Sequence, residues 1–369
     1  MDFLEKRLFD VFPTSEWSRR RVCIAASGGP DSVALTRAFH AIAQKENLLQ
    51  NLLVVTVDHQ LRGAESDGDA QFVCSLCESL GIGVQVKRVD KTQLEEETRR
   101  AGSLENAART LRYQLLRDAA HEFGARFLLT AHHQGDQLET ILFRLFRGSG
   151  LDGLKGISSS RPLDESLVLL RPMLTVTKQE ILNYLKRLGQ DYRVDSSNQS
   201  SEFDRNRIRN ELVPLLNELF PNRWQNALTR LAEQSAETSA YFDWQLDELE
   251  TKLKEEKKRA EKYRQTLQSL QAVPSPCSEN DANRVVVSLL PLQNLSSEIV
   301  RRFYRRIWTR MGWPLGSMGH EEWNRLVEAT QKRKSPRQFP GNIAATFNQD
   351  DTLTLERLAK AEPTSKDGD

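Results

Sequence analysis

The sequence predicts an α/β protein: a doubly wound, mainly parallel Rossmann-like sheet in an N-terminal domain, then a helical connector and a smaller α+β C-terminal domain. Three observations predict it. Short β-rich runs alternate with amphipathic helical stretches through the first half of the chain. One long, highly charged helical pattern then runs from Asn222 to Gln271. After it, the linker-like stretch AVPSPCSENDAN (272–283) precedes a segment with strands and helices of its own. Alternation of this kind implies parallel strands, right-handed crossovers and helices on both faces. Ligands of such sheets bind at the carboxyl ends of the strands.

The strands, in order, are expected at Val22–Ala26, Leu52–Asp58, Val84–Val89, Phe127–Ala131 and Leu167–Leu170, each a short run rich in apolar residues. Helical patterns lie between and after them at 31–46, 66–80, 104–123, 136–147 and 177–188. In the long pattern, Leu228, Leu231, Phe242, Leu246, Leu249 and Leu253 form a narrow stripe that thins out by KEEKKRAEK, as a partly solvated connector would. Beyond the linker come a strand-like VVVSLL, helices around 296–311 and 320–333, and a hairpin, AATFNQDDTLTLER. The domain boundaries expected from this pass are 1–215, 216–271 and 272–369, the last a basic domain ending in a disordered tail.

With 369 residues the chain is long enough for two or three domains, each with its own core. It is 38% apolar and 28% charged, which is ordinary for a globular protein. The net charge of +1, from 52 basic and 51 acidic residues, says nothing about a polyanionic partner; only local clusters can. The N-terminal MDFLEKRLFDVF lacks the apolar core of a signal peptide. No apolar run approaches the ~20 residues of a membrane span. Four cysteines (Cys23, Cys74, Cys77, Cys277) are too sparse for a disulfide scaffold and suit a reducing compartment, so a cytoplasmic protein is expected.

Five segments carry candidate chemistry. In Ser27-Gly28-Gly29-Pro30-Asp31-Ser32 the glycines permit close approach of backbone to a ligand. The helix beginning near Asp31 aims free N–H groups at whatever sits there, and the two serines add hydroxyls. There is no Lys as in GxxxxGK(S/T), which excludes a P-loop NTPase. The plain alternative is a strand–turn–helix corner capped by Asp31 or Ser32. Val57-Asp58-His59-Gln60-Leu61-Arg62 ends the second strand. In Glu105–Tyr113, Arg109 and Arg112 share a helix face with Glu105 one turn before Arg109, a pattern that a solvated ion pair would also produce. In Ala131–Thr140 (AHHQGDQLET), Asp136 and Glu139 stand three apart near a helix start. They are either an N-cap and N3 pair or a paired-carboxylate site for Mg²⁺ or an ammonium group. Finally, DSSNQSSEFDRNRIRNELVPLL (195–216) offers Asp195, Ser197 and Asn198 as turn formers and Arg205, Arg207 and Arg209 on one helix.

These segments carry a resemblance. SGGPDS resembles the SGGxDS loop of the N-type ATP pyrophosphatases, which split ATP to AMP and pyrophosphate. The other four segments are similar, in the same order, to the VxHxLR, ExxARxxRY, AHHxxDQxET and D-SN…RNxIRxxLxPxL segments of the tRNA(Ile)-lysidine synthetases, over about the first 215 residues. The resemblance implies ATP and Mg²⁺, a tRNA(Ile) with a CAU anticodon, and L-lysine. It implies adenylation of C2 of the wobble cytidine, then displacement of AMP by the lysine amine to give lysidine. It assigns Ser27, Gly28, Gly29, Pro30, Asp31, Ser32, Asp58, His59 and His132 to ATP. Asp31, Asp136, Glu139, Arg109 and Arg112 are assigned to catalysis, and Asp136 and Glu139 also to lysine or metal. Many members carry two adjacent acids where this chain has Gly135-Asp136. A helix bearing Arg301, Arg302, Arg305, Arg306 and Arg310, together with Lys332, Arg333, Lys334 and Arg337, looks like the family's C-terminal substrate-binding domain, and Arg205, Arg209, Arg305 and Arg306 are its expected tRNA contacts. A homodimer stays open. Two other readings are carried: a tRNA thiolase of the same superfamily using Cys74 and Cys77, and a non-catalytic tRNA-binding relative. Against the thiolase, the CxxC falls in the helical pattern 66–80 among Phe72, Val73, Leu76 and Leu80, as two structural thiols would.

Overall fold

The computed structural model describes residues 1–58, 64–193, 204–221, 223–268, 283–333, 338–348 and 351–358. His59, Leu61, Arg62, Asp195, Ser197, Asn198, Cys277, Lys334 and Arg337 lie outside the described residues, as do most of the expected linker and the C-terminal tail. The chain divides into two compact units, Met1–Ala236 and Glu237–Asp369.

The first unit runs α1 (Phe3–Val11), α2 (Thr14–Trp17), β1 (Arg21–Ala25), α3 (Pro30–Lys45), β2 (Leu52–Asp58), α4 (Ala64–Leu80), β3 (Gly83–Arg88), α5 (Lys91–Ala101) and α6 (Leu104–Phe123). It continues through β4 (Ala125–Leu129), α7 (Gln134–Phe146), α8 (Leu151–Leu154), β5 (Ser160–Pro162), β6 (Val168–Leu170), α9 (Lys178–Leu188), α10 (Asp204–Arg207), a π-helical turn (Ile208–Leu212) and α11 (Val213–Leu219). The division between units falls inside α12 (Arg223–Gln268).

The sheet order is β3-β2-β1-β4-β6-β5, parallel except for the β5 edge. Strand residues alternate between two cores, as a period of two demands. Val22, Ile24, Leu52, Val54, Phe127 and Leu129 face one cluster with α1, α3, α4 and α9. Cys23, Leu53, Val55 and Leu128 face the other, with Leu116, Ala119 and Ala120 of α6. Burial on both faces explains why these strands read as continuous apolar runs. The elements that the sequence left out are short or bury little. The β5 residues are all exposed, and α5 buries only Leu94. The α1 helix is nine residues long, started by a capping box of Asp2 and Glu5.

In the second unit, β7 (Arg284–Ser288), α13 (Ser297–Arg310), α14 (His320–Lys332), β8 (Ile343–Phe347) and β9 (Thr352–Arg357) surround a core with the Leu246 side chain of α12. The three strands form an antiparallel sheet of order β7-β9-β8. Trp308 is its centre, edge-on to Trp313 at 4.9 Å and to Trp323 at 5.4 Å.

Candidate active site

Between β1 and β4 the strand order reverses direction, so the loops that leave their carboxyl ends diverge and open a crevice. The first of these loops is SGGPDS. Its turn needs Gly28, which sits at φ +83°, where an L side chain is strained. The Ser32 hydroxyl ties the loop: Ser27 N–H donates to it (3.1 Å) and it donates to the Gly29 carbonyl (3.0 Å). Gly29 is the N-cap of α3 with Pro30 behind it, and no side chain caps the helix. That corrects the alternative in which Asp31 or Ser32 acts as the cap. The amides of this end stay available for an anion.

The second loop brings α7. Its N-cap is His133, whose Nδ1 accepts from Gly135 N–H (2.9 Å), while Asp136 Oδ2 accepts from His133 N–H (3.0 Å). Asp136 is therefore the N3 residue, not the N-cap, and Glu139 stands one turn further in. Gly135 has a steric reason: a Cβ there would lie 2.6 Å from His133 Cε1. His133 Nε2 is 3.8 Å from both Asp31 and Asp136, and Lys178 at the start of α9 pairs with Asp31 at 2.6 Å.

A cavity of about 410 Å³ lies here, lined by Ser27, Gly29, Asp31, Ser32, Arg112, Tyr113, Thr130, His132 and Asp136, with Val55, Val57 and Leu116 as apolar floor. His132 Nδ1 is 3.0 Å from the Thr130 hydroxyl. Burial, reinforced by Arg171, Arg112 and Arg109 and opposed by Asp136, pushes the imidazole down to about 4, so it is neutral at pH 7. Burial raises the Asp136 carboxyl, but His133, its N–H bond, His132 and Arg205 together hold it below the ordinary range.

The carboxylates are not bare. Ile208 of the π-helical turn packs with Leu138 and Leu142 of α7, which sets the next residue over the helix start. There Arg209 grips Glu139 with both ends of its fork, Nε to Oε1 at 2.6 Å and Nη2 to Oε2 at 2.8 Å, and lies 3.5 Å from Asp136. Arg205 adds contacts of 3.5 Å to Glu139 and 3.8 Å to Asp136. Two guanidiniums thus fill the place expected for Mg²⁺ or an ammonium group. Among the described residues no group of three or more His, Cys, Asp or Glu forms a metal cluster. Asp31, beside the SGGPDS loop, still suits the one-or-two-carboxylate mode by which Mg²⁺ rides on nucleotide phosphates.

Of the residues expected from sequence, the loop, Asp31, Arg112, His132 and Asp136 meet in one cavity, with Glu139 held behind Asp136. Arg109 lines a neighbouring cavity together with His132 and Arg205. Asp58 is buried at the end of β2, its Oδ2 3.7 Å from Arg88 Nε. Tyr113, Thr130 and Lys178 line or adjoin the site but carry no role in the sequence reading. Lys178 stands far along the chain and carries no local signal. Thr130 lies two residues before His132, inside the expected fourth strand, where a threonine reads as a strand former. In the C-terminal unit, Arg306 is engaged by Asp243 and Asp247, Arg310 by Glu250, and buried Arg302 by Glu298 and Ser239. Arg305 lies over the Trp323 ring at 5.4 Å. The basic stripe is therefore largely internal to its unit. Cys77 is fully buried among Val73, Leu76 and Leu80, and burial raises its thiol to about 12. Cys74 is partly buried, and both are free thiols.

Among known proteins, a relative from Bacteroides thetaiotaomicron is 37% identical over 233 residues, 63% of this chain and 51% of its own length. One from Chlorobaculum tepidum is 36% identical over 228 residues, 62% of this chain and 66% of its own. Both are named tRNA(Ile)-lysidine synthase, and the chain spans about half to two thirds of their length. A solved U34-tRNA thiolase from Methanococcus maripaludis, with its 4Fe–4S cluster, shares the fold with a TM-score of 0.52 at 17% identity, over 62% of this chain and 77% of that one. The profile of the PP-loop domain family matches residues 4–216, from α1 through most of α11, including the loop and both cavities just described. With its loop, sheet order and crevice in the places that match, this chain belongs to the PP-loop domain family.

Proposed function

We propose that the chain is a tRNA(Ile)-lysidine synthetase: a cytoplasmic ligase that uses ATP to join L-lysine to C2 of the wobble cytidine in the CAU anticodon of a minor tRNA(Ile). The observation that carries this is the cavity itself. An uncapped loop suited to an anion, a neutral histidine and the ionised Asp136 carboxylate converge on one crevice. The names of relatives at 36–37% identity across the same unit support it.

In this reading ATP lies on the loop, its phosphates held by the α3 amides, Ser27 and Ser32. Mg²⁺ would be held by Asp31 and would neutralise phosphate charge. The cytidine C2 oxygen attacks the α-phosphorus, the Pα–O bond to pyrophosphate breaks, and the base becomes an adenylate. The lysine ε-nitrogen, in its neutral form, then attacks C2 and the C2–O bond breaks to release AMP. Asp136, held ionised, serves better as a counter-ion for the lysine amine and the charge that develops on it than as a proton acceptor. Arg112, at the cavity wall, faces phosphate oxygens; Arg109 faces the nucleotide from the adjoining side. Arg205 and Arg209 would exchange their carboxylate contacts for RNA phosphate or yield them to the lysine amine. Arg305 is proposed as an RNA contact in the C-terminal unit. Arg306 joins it only by leaving Asp243 and Asp247.

Incubation with CAU-anticodon tRNA(Ile), ATP and labelled lysine, followed by mass spectrometry of the anticodon nucleoside, tests this. Lysidine is expected, and Asp136→Asn should abolish it while leaving the fold intact. Pyrophosphate release with no lysine incorporated, or near-normal turnover by Asp136→Asn, refutes the assignment.

A further inference from the structure

The neighbouring cavity, of about 420 Å³, shares only His132 with the nucleotide crevice and is lined by Arg109, Arg144, Arg161, Arg171 and Arg205. Arg205 has carboxylates within 4 Å. The other four have none among the described residues. Arg144 donates to the Gly153 and Gly156 carbonyls, and Arg171 Nη1 donates to the Ser158 carbonyl. Arg171 is 7% exposed, and its Nε has no hydrogen-bond partner among the described residues. Burial lowers the pKa of both Arg144 and Arg171. Desolvated positive charge without a counter-charge opposes folding, so an anion entering the cavity would offset the cost at Arg144 and Arg171.

We propose that this cavity seats the backbone phosphates that flank the reacting nucleotide of a single-stranded RNA loop, with the base reaching past His132 into the PP-loop crevice. The RNA identity rests on the function proposed above; the anion site rests on the cavity. Four guanidiniums exceed the need of a single carboxylate, which would leave most of their charge uncompensated, whereas successive phosphates match them. Guanidinium forks meet phosphate oxygens in pairs, and the neutral imidazole between the cavities suits an uncharged base.

Arg109 and Arg161 are exposed, so Arg109→Ala with Arg161→Ala should leave the fold unaltered. The probe is a fluorescent anticodon stem–loop RNA with a CAU loop, titrated by anisotropy across a salt series, alongside calorimetry with ATP and steady-state kinetics in lysine. The double variant should bind the RNA at least about tenfold more weakly near 0.15 M salt. Its slope of log affinity against log salt should flatten by about 1.4, for two phosphate contacts at roughly 0.7 each. Arg161→Ala alone should leave ATP affinity unchanged, and the Arg→Lys pair should recover part of the RNA affinity. Parental affinity and slope in the double variant overturn the proposal. So does a raised KM for lysine with unchanged RNA affinity, which would make this the seat of the lysine carboxylate. If RNA binding weakens as expected while the parent incorporates no lysine, the phosphate site stands and the lysidine reading falls.

Discussion

Arg209→Ala tests whether the π-helical turn holds the carboxylate pair. The side chain makes two short bonds to Glu139, which is 6% exposed, and its removal leaves Arg205 at 3.5 Å as the nearest cation. Breaking a buried pair by removing one partner costs about 3–5 kcal/mol. Arg209 itself is 39% exposed, and Arg205 remains, so solvent and the second cation reduce the loss to about 2 kcal/mol. Glu139→Gln in the same background removes the stranded charge and should restore roughly half of that. Chemical denaturation of the parent, both single variants and the double variant gives a coupling energy for the pair. The expected value is about 1–2 kcal/mol. A coupling below about 0.5 kcal/mol would show that the fork is a surface contact and refute its role in holding Glu139.

Acid should destabilise the first unit through His132. The folded imidazole stays neutral until about pH 4 while the unfolded one takes up a proton below its ordinary value of 6.5. The unfolded state therefore binds more protons in that window, and stability falls as pH drops through it. His132→Asn should flatten the fall in Tm between pH 6.5 and 4; an unchanged slope contradicts the assignment. Gly135→Ala drives a Cβ into the His133 ring and should cost about 1 kcal/mol, the worth of an N-cap, read as a lower Tm. An unaltered Tm would mean that the cap is not fixed. Cys74→Ser with Cys77→Ala should lower stability by about 1 kcal/mol through lost packing yet keep turnover. Abolished turnover with loss of bound iron or persulfide would favour thiolation.

The parallel sheet and its loops were legible because burial on both faces writes continuous apolar runs into β1, β2 and β4, and helices of 13–20 residues repeat between them. The PP-loop was legible for a local reason. Its glycine turn, serines and helix start are contiguous, so the features of the proposed anion seat lie within six residues. Short or weakly buried pieces such as β5 and α5 were not, because β5 is three exposed residues and α5 buries one side chain in a mostly charged run.

The carboxylate pair divides the two levels of information. Its residue types and spacing were plain in AHHQGDQLET, and so was the departure at Gly135. Which group caps the helix was not, because His133, Asp136 and Gly135 compete for the same end and only their packing selects the histidine. Nor could the sequence show that Arg209, 70 residues away, closes on Glu139, or that Lys178 closes on Asp31. Four arginines scattered from 109 to 171 share no segment of the sequence, and only the fold gathers them around one cavity. Local sequence determined the loop and helix starts, because their hydrogen bonds join near neighbours. The partners of each buried charge were decided by tertiary structure, because charges interact through space and the chain brings them together only on folding.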